Sequence, residues 1–318
     1  MSRISRIFIS LNIVVLLGNS VRAQQMDLNE VLFFCYFKGN GTDGLHLAYS
    51  IDGYKWTALN HDSSFVKPKA GKDKLMRDPC IIKGPDGLFH MVWTVSWHER
   101  SIGYASSPDL IHWSDQQTIP VMEGEPDARN CWAPEIIWDP KRQDYMIYWA
   151  TTIPERFPET DSTGDDGYNH RIYYTTTKDF LHFTKTSILF NPGFDVIDAT
   201  IDNDGKRYVM FFKDERLHPT KKNIRVAFSK NLLGLYDHIT KPITGRYWAE
   251  GPTAIKMGRT WIVYFDKYRD HTMGAVKSTD MKHWTDVSGN VSFPEGSRHG
   301  TVFRVSRSEF LKLKELDK

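Results

Sequence analysis

The feature that most constrains this chain is a pair of short apolar strands that occurs five times along it. Each pair leads into a polar turn and then an aromatic residue, as in L-H-L-A-Y-S-I-D-G-Y-K-W. Short strands repeated at intervals of about 50 residues predict a radial assembly in which each copy is one blade of a β-propeller. The five pairs occupy residues 32–56, 89–113, 145–183, 208–236 and 261–284.

A further strand segment accompanies each pair, at residues 77–82, 132–138, 197–202, 250–255 and 299–305. In a propeller the first strand of every blade lines the central axis, so residues at the same end of these strands converge. We therefore expect Asp78, Asp198, Glu250 and His299 to meet at one mouth of the central channel. Three carboxylates and an imidazole gathered from separate repeats predict a site of chemistry there.

The order of the segments also predicts how the ring closes. The last inner segment, 299–305, has no strand pair after it, and the first pair has no inner segment before it. Joining the two chain ends in one blade would hide strand edges that an open ring leaves exposed, and closing a long loop adds only a logarithmic cost. The sequence thus predicts an all-β, five-bladed β-propeller closed by N- and C-terminal strands, with one catalytic domain over residues 24–318.

The first residues have the pattern of a signal peptide. A positively charged segment and an apolar stretch precede Val21, Arg22 and Ala23, so we predict cleavage after Ala23 and a secreted or periplasmic protein. The apolar stretch is short for a membrane span, and no later segment is long enough. Removal of residues 1–23 takes away three arginines and no acid, which changes the formal net charge from +2 to −1. A near-neutral surface argues against nucleic acid or anionic lipid as a partner.

Three cysteines, Cys35, Cys80 and Cys131, are too few for a disulfide framework. A bridge between Cys80 and Cys131 is geometrically conceivable, but buried free thiols are the preferred interpretation. The chain has no C-x-x-C, H-E-x-x-H, phosphate-loop, dinucleotide-binding or G-x-S-x-G motif. Their absence argues against the commonest zinc, nucleotide and serine-hydrolase sites, and no organic cofactor is expected.

Aromatic residues make up 13% of the chain, and two groups of tryptophans have different expected roles. Trp97, Trp132 and Trp248 lie in or beside the predicted mouth, where a flat ring can stack on a sugar face. Each is a candidate for substrate binding, with packing as an equal alternative. The tryptophans of the repeats are expected to pack between blades (Trp56, Trp113 and Trp284).

The three carboxylates differ in their local sequence. Asp78 stands between an arginine and a proline and, taken alone, would be interpreted as a turn-capping residue. Asp198 has apolar neighbours, where a carboxylate is costly unless it is paired or functional. Glu250 follows Trp248 closely, and burial beside an indole predicts the raised pKa that proton donation near neutral pH requires. Together they suit glycoside hydrolysis, in which one carboxylic acid protonates the leaving oxygen and a carboxylate activates water.

The chain resembles glycoside hydrolase family 43 in the motifs R-D-P-C-I-I, I-D-A-T-I-D-N-D-G-K-R-Y, A-E-G-P-T-A-I-K and R-H-G-T-V-F. The resemblance covers nearly the whole predicted mature chain and implies an inverting, five-bladed enzyme. It implies that Asp78 is the general base, Glu250 the general acid, and Asp198 the residue that modulates the pKa of the acid and orients it. It also implies that His299 contacts a central metal ion, usually calcium with waters.

By this resemblance the protein is expected to be a secreted glycosidase acting on plant polysaccharide side chains. The bond would be α-L-arabinofuranosyl or β-D-xylosyl, with exo action, or galactosyl as in some members of the family. The partners are then an oligo- or polysaccharide and one Ca²⁺, without nucleic acid or membrane insertion, and we expect a monomer. Further candidates for substrate contact are His170, Lys213 and Arg298.

Two other classes stay open at this point. A non-catalytic glycan-binding propeller would be expected to lack at least one of the three carboxylates, and this chain has all three. A phosphorylase would need a basic cluster that holds phosphate near the acid. Lys213, Arg171 and Arg298 are candidates for such a cluster.

Overall fold

The computed structural model describes residues 29–318, which contain nineteen strands in five antiparallel sheets. The first sheet contains β1 (Glu30–Tyr36), β2 (His46–Ser50) and β3 (Thr57–Ala58). The second contains β4 (Arg77–Lys83), β5 (Phe89–Thr94), β6 (Ile102–Ser107) and β7 (Gln117–Ile119). The third contains β8 (Trp132–Asp139), β9 (Asp144–Thr151), β10 (Arg171–Thr177) and β11 (Ser187–Phe190). The fourth contains β12 (Val196–Asn203), β13 (Tyr208–Asp214) and β14 (Asn223–Ser229). The fifth contains β15 (Glu250–Met257), β16 (Thr260–Lys267), β17 (Thr272–Ser278) and β18 (Thr285–Asp286).

The ring is closed by the last strand, β19 (Thr301–Ser306), which pairs antiparallel with β1. The first blade therefore has the order β19-β1-β2-β3, with Phe33 opposite Phe303. A short helix, α1 (Arg307–Lys314), follows directly and is capped at its N-terminus by reciprocal hydrogen bonds between Ser306 and Glu309. This confirms the predicted five-bladed propeller and its closure by both ends of the chain.

The repeated turn has one physical cause in four of the blades. In the second blade, the Ser107 hydroxyl accepts a hydrogen bond from the Leu110 backbone, and Asp109 accepts two more from Ile111 and His112. The equivalent Ser or Thr and Asp of the first, third and fifth blades form the same bonds. Short polar side chains of this kind bond readily to nearby backbone N–H groups, which explains the spacing of the repeat. The repeat tryptophans pack in or against the apolar layers between blades, as predicted (Trp56, Trp113 and Trp284).

The inner strands β4, β8, β12, β15 and β19 contact one another in this order, and β19 contacts β4 in turn. A β-bulge interrupts the first four close to their starts. The first residue of each bulge has a positive φ: Asp78 51°, Ala133 46°, Asp198 53° and Gly251 57°. Asp78 and Asp198 thus occupy equivalent positions, whereas Glu250 lies one residue before the equivalent Gly251. Bulges of this kind re-aim side chains, and here they do so at one end of the channel.

Several other expectations fall within the described part of the chain. Cys35, Cys80 and Cys131 are buried free thiols. Within residues 29–318, no helix combines the length and the apolar character needed to cross a membrane. The predicted signal peptide, residues 1–23, lies outside the described residues.

Candidate active site

Asp78 is a carboxylate at the mouth whose two oxygens both have partners. One carboxylate oxygen accepts a hydrogen bond of 2.9 Å from the Thr94 hydroxyl, and the other lies 3.4 Å from Nδ1 of His299. Burial alone would raise the pKa of Asp78, but His299, with Arg77 and Thr94, lowers it to about 2. Asp78 is therefore ionised at neutral pH. Thr94 in turn accepts a bond of 2.9 Å from the Ala133 backbone N–H, which ties the second blade to the third.

Asp198 is buried and has a different environment. Its Oδ2 accepts a hydrogen bond of 3.0 Å from the backbone N–H of Gly251, the residue directly after Glu250. Burial raises the pKa of Asp198; the positive charges of His299 and Lys213 oppose this shift, while Glu250 and Asp78 add to it. Asp198 thus fixes the backbone that carries Glu250, which supports an orienting role.

Glu250 is held between two cations. Lys213 Nζ donates a hydrogen bond of 3.0 Å to Oε2, and Arg298 Nη2 donates one of 3.3 Å to Oε1. Both cations are themselves anchored, Lys213 by Glu215 at 2.7 Å and Arg298 by Asp266 at 2.5 Å. Burial would raise the pKa of Glu250, but the charge and hydrogen bond of Lys213, with His299 and Arg298, lower it.

The raised pKa predicted for Glu250 from its neighbouring indole is therefore wrong. Trp248 faces the ring of Tyr268 at 5.9 Å between centroids, and the guanidinium of Arg269 lies 4.3 Å from its ring. Lys213, His299 and Arg298 together outweigh the desolvation that would raise the pKa of Glu250. All three are distant from Glu250 in sequence, so no local pattern around it reveals their effect.

His299 is buried among the three carboxylates. Burial would lower its pKa, but the negative charges of Asp198 and Asp78, with Glu250, raise it to about 9. The imidazolium is therefore the favoured form at neutral pH. Gly251 makes room for it, because a Cβ at that position would lie 2.3 Å from Cγ of His299.

The predicted metal contact of His299 can be judged from its donor set. Within residues 29–318, no group of three or more His, Cys, Asp and Glu side chains is arranged to hold a metal ion. Nδ1 of His299 faces the carboxylate of Asp78. The metal contact expected of His299 therefore stays a prediction, in which waters would complete the coordination of the ion.

An aromatic wall borders one side of the mouth. Trp97, which is 37% exposed, meets Trp132 edge to face at 5.6 Å, and the indole N–H of Trp132 donates to the Trp97 carbonyl. Tyr168 continues the wall 4.7 Å from Trp132 and was not predicted from the sequence. Arg77 lies over Trp97 at 4.3 Å, next in sequence to Asp78. The wall therefore presents aromatic rings and a cation to whatever occupies the mouth.

His170 lies beneath this wall instead of lining the mouth. It is 1% exposed, bonds Asp195 through Nδ1 at 2.9 Å, and stacks on Tyr168 at 5.2 Å. The predicted contact of His170 with substrate is not supported, because the ring of His170 is buried. The guanidinium of Arg171 is also buried, and its bonds go to protein groups (Asn169, His170, Thr160 and Asn191).

Comparison with known proteins identifies the family. A family model described as a probable glycosyl hydrolase domain, related to glycosyl hydrolase family 43, matches residues 28–310. The chain belongs to this family. The family 43 resemblance inferred from the four motifs is thereby confirmed.

One curated relative is similar in sequence to part of this family 43-related chain. An α-L-arabinofuranosidase of Bifidobacterium longum subsp. longum is 26% identical over 162 residues, which cover 44% of this chain and 15% of that enzyme. This chain therefore corresponds to a small part of that relative.

Solved structures superpose on most of the chain. A thermostable family 43 glycoside hydrolase has a TM-score of 0.55 at 19% identity and covers 72% of this chain and 82% of its own. An α-L-arabinofuranosidase from Lactobacillus brevis has a TM-score of 0.52 at 20% identity, with coverages of 67% and 72%. A family 43 enzyme from Xanthomonas citri in complex with xylose has a TM-score of 0.52 at 12% identity, and the match covers 66% of this chain and 72% of that enzyme. At these identities the similarity establishes the fold alone.

Proposed function

We propose that this protein is an inverting, exo-acting glycosidase that removes α-L-arabinofuranosyl groups from plant polysaccharide side chains. The observation that carries the proposal is the convergence of Asp78, Asp198 and Glu250 around His299 at one mouth of the propeller. Arabinofuranose is named first because one similar sequence and one similar structure are described as α-L-arabinofuranosidases. The β-D-xylosyl bond is the next candidate, and a galactosyl bond follows it.

The proposed reaction assigns one step to each carboxylate. Asp78, ionised because of its low pKa, accepts a proton from water as the water oxygen forms a bond to the anomeric carbon. The glycosidic C–O bond breaks, and the leaving oxygen takes a proton from Glu250. Asp198 holds Glu250 in place through the Gly251 N–H. The configuration at the anomeric carbon inverts because water attacks the face opposite the leaving group.

Proton loading of Glu250 depends on its cations. In the free protein Lys213 and Arg298 favour the carboxylate, while the neighbouring Asp198 has a raised pKa. Interacting carboxyl groups of this kind release protons as a pair. A sugar that enters the mouth excludes water from Glu250, and this desolvation favours its protonated form.

The first test is the hydrolysis of aryl α-L-arabinofuranoside, β-D-xyloside and β-D-galactoside by the wild type and by Glu250→Gln. Release from one glycoside that disappears in the variant would support the proposal and name the sugar. Proton NMR of the first product formed distinguishes an inverted from a retained anomer. Absence of cleavage, with binding to plant glycans preserved, would favour the glycan-binding alternative.

The phosphorylase alternative loses its support. Lys213 and Arg298 are both engaged by Glu250, and Arg171 is buried with protein partners. Among the described residues, these three candidates therefore do not form a free cationic cluster beside the acid.

Three expectations remain proposals. An extracellular location follows from the pattern of residues 1–23, and N-terminal sequencing of the mature protein tests the cleavage after Ala23. A calcium ion bound through His299 and waters stays a prediction, tested by activity before and after chelation. A monomeric state is tested by sedimentation.

A further inference from the structure

Directly below the mouth, the inner strands place one residue each in a second layer around the axis. In β4, β8, β12 and β15 this residue is the first one paired beyond the bulge, and in β19 it is the first of the strand. Four of these side chains are short and one is long. The layer consists of Cys80, Glu135, Thr200, Thr253 and Thr301.

Glu135 connects three blades through its carboxylate. Oε2 accepts hydrogen bonds from the Thr200 hydroxyl at 2.7 Å and the Tyr148 hydroxyl at 2.9 Å, and Oε1 accepts one of 3.4 Å from Thr301. Tyr148 in turn accepts a bond of 3.0 Å from the backbone N–H of Ile201. One side chain of the third blade is thus bonded to the inner strands of the fourth and the first.

A charge at the buried position of Glu135 is energetically unfavourable. Glu135 is 6% exposed, and the structure shows no Lys or Arg within ion-pair distance of it among the described residues. Burial raises the pKa of Glu135 to about 7, against the lowering effect of Thr200, Tyr148 and His299. A buried carboxyl with hydroxyl partners only is costlier than an uncharged side chain of similar volume. A contribution to stability therefore does not explain why a carboxyl group occupies this position. Side chains that cost stability in this way are expected near functional sites.

Two of the three partners of Glu135 lie close in sequence to a residue of the site. Thr200 follows Asp198 by two residues, and Thr301 follows His299 by two. Glu135 itself follows Ala133 by two, and the Ala133 N–H bonds the Thr94 hydroxyl that supports Asp78. The bonds of Glu135 therefore fix the strands that carry Asp198 and His299. They also fix β8, which supports Asp78 indirectly through Ala133 and Thr94.

We propose that Glu135 is a positioning residue for the hydrolytic reaction: its carboxylate ties β8, β12 and β19 together and so sets the spacing of Asp78, Asp198 and His299. This role goes beyond the three carboxylates of the proposed reaction and rests on the glycosidase function. The spacing matters because displacement of a catalytic group by about 1 Å can lower a rate about 10²-fold.

The test measures kcat and KM for Glu135→Ala, Glu135→Gln and Thr301→Val with the aryl glycoside that the wild type cleaves. Glu135→Ala is expected to lower kcat by about tenfold or more with KM within about twofold, since the pocket for the sugar is intact. Glu135→Gln keeps the length and one acceptor oxygen, so it is expected to recover much of the rate. If Glu135→Ala does not fold, the isosteric variant Thr301→Val takes its place. A lower kcat with KM nearly unchanged is the expected result for it as well.

Asp144→Ala is the matched control. Asp144 is a second buried carboxylate of the third blade, bonded to Arg142 at the start of β9, away from the mouth. It is expected to lower the unfolding temperature without changing kcat. An unchanged kcat in folded Glu135→Ala, or an equal loss in the control, would overturn the inference.

A second readout separates this inference from the proposed function. The imidazole resonances of His299, followed by NMR, are expected to shift in Glu135→Gln and Thr301→Val and to stay in place in Asp144→Ala. If the wild type cleaves no glycoside, the proposed function fails, and these resonances still decide whether Glu135 positions the site. Unshifted resonances would overturn the inference whatever the activity.

Discussion

Single residues at the mouth differ sharply in charge environment, and Asp78 is the clearest case. Its low pKa and its bonds to Thr94 and His299 fit a base that is ionised and fixed before substrate arrives. Asp78→Asn removes the acceptor of the water proton, so kcat is expected to fall by about 10²- to 10⁴-fold with the fold intact. Circular dichroism and initial rates on the best aryl glycoside test this.

Asp73→Asn serves as the control for Asp78→Asn. Asp73 is an exposed acid beside the mouth that bonds Ser96 and the Trp97 backbone and faces none of the three carboxylates of the site. Its loss is expected to leave kcat within about twofold. Full activity in Asp78→Asn would remove Asp78 from the role of base.

Lys213 gives a prediction about pH. Because Lys213 lowers the pKa of Glu250, Lys213→Met is expected to raise it. A proton donor must be protonated to act, so activity falls as pH rises through its pKa, and the alkaline limb of kcat/KM should move to higher pH in the variant. A full pH–rate profile of wild type and variant measures this shift.

Lys222→Met is the matched control for the pH profile. Lys222 is also buried and bonds Glu215 at 2.5 Å, but it has no contact with Glu250. The limb should stay in place when Lys222 is replaced. A limb that moves equally in both variants, or moves to lower pH in Lys213→Met, would show that Lys213 does not set the pKa of Glu250.

Much of the site could be predicted from residue types at repeat positions, and the limits of that prediction are physical. Asp78, Asp198, Glu250 and His299 were expected to converge because equivalent strands of a propeller share one axis. The direction of the pKa shift of Glu250 could not be predicted, because it depends on the position of the Lys213 ammonium group in the folded protein. Tyr168 could not be predicted because it lies in the loop between β9 and β10, outside the repeated strands.

At the scale of elements, the bulges decide how the inner strands present their side chains. The second bulge residue is Pro79, Pro134 or Pro252 in three strands, and the first is Asp or Gly in three of four. Proline needs no ladder partner, and Asp and Gly tolerate a positive φ, so these dipeptides are a sequence signal for the bulge. In the fifth blade the signal is Gly251-Pro252, which places Glu250 one residue before the position equivalent to Asp78 and Asp198.

Gly251 tests the importance of one bulge. Gly251→Ala adds backbone strain of about 1 kcal/mol at φ 57° and places a methyl group 2.3 Å from Cγ of His299. We expect lower stability and a loss of kcat of about tenfold or more, because His299 must move away from Asp78. Thermal unfolding and initial rates measure the two effects separately.

Gly205→Ala is the control that separates strain from contact. Gly205 lies in the turn between β12 and β13 at φ 91°, and a Cβ there meets no atom within 4 Å. Gly205→Ala is expected to lose stability as Gly251→Ala does, but to keep the activity of the wild type. Equal activities of the two alanine variants would contradict a role for the close approach of Gly251 to His299.

At the scale of the whole molecule, the ring holds the site together because its residues come from four blades. Among the described residues, β19 pairs in a sheet with β1 alone, and this pairing joins the last inner strand to a blade. Closure was predictable from segment order, since an unmatched strand at each chain end leaves one arrangement that hides both edges. What could not be predicted is the register, which follows from side-chain packing across the closed blade.

The closing pair therefore offers a test of how the propeller unfolds. Val31 and Val305 are opposite each other in β1 and β19, and both are buried. A disulfide between Val31→Cys and Val305→Cys links distant parts of the chain, whereas one between Val263→Cys and Val276→Cys, opposite in β16 and β17, closes a short loop. Loop entropy predicts that the first adds roughly 2–3 kcal/mol more stability than the second. Urea unfolding of both proteins, oxidised and reduced, measures the difference. A long-range bridge that stabilises the protein no more than the short one would contradict the expected loop-entropy gain from joining the two ends of the chain.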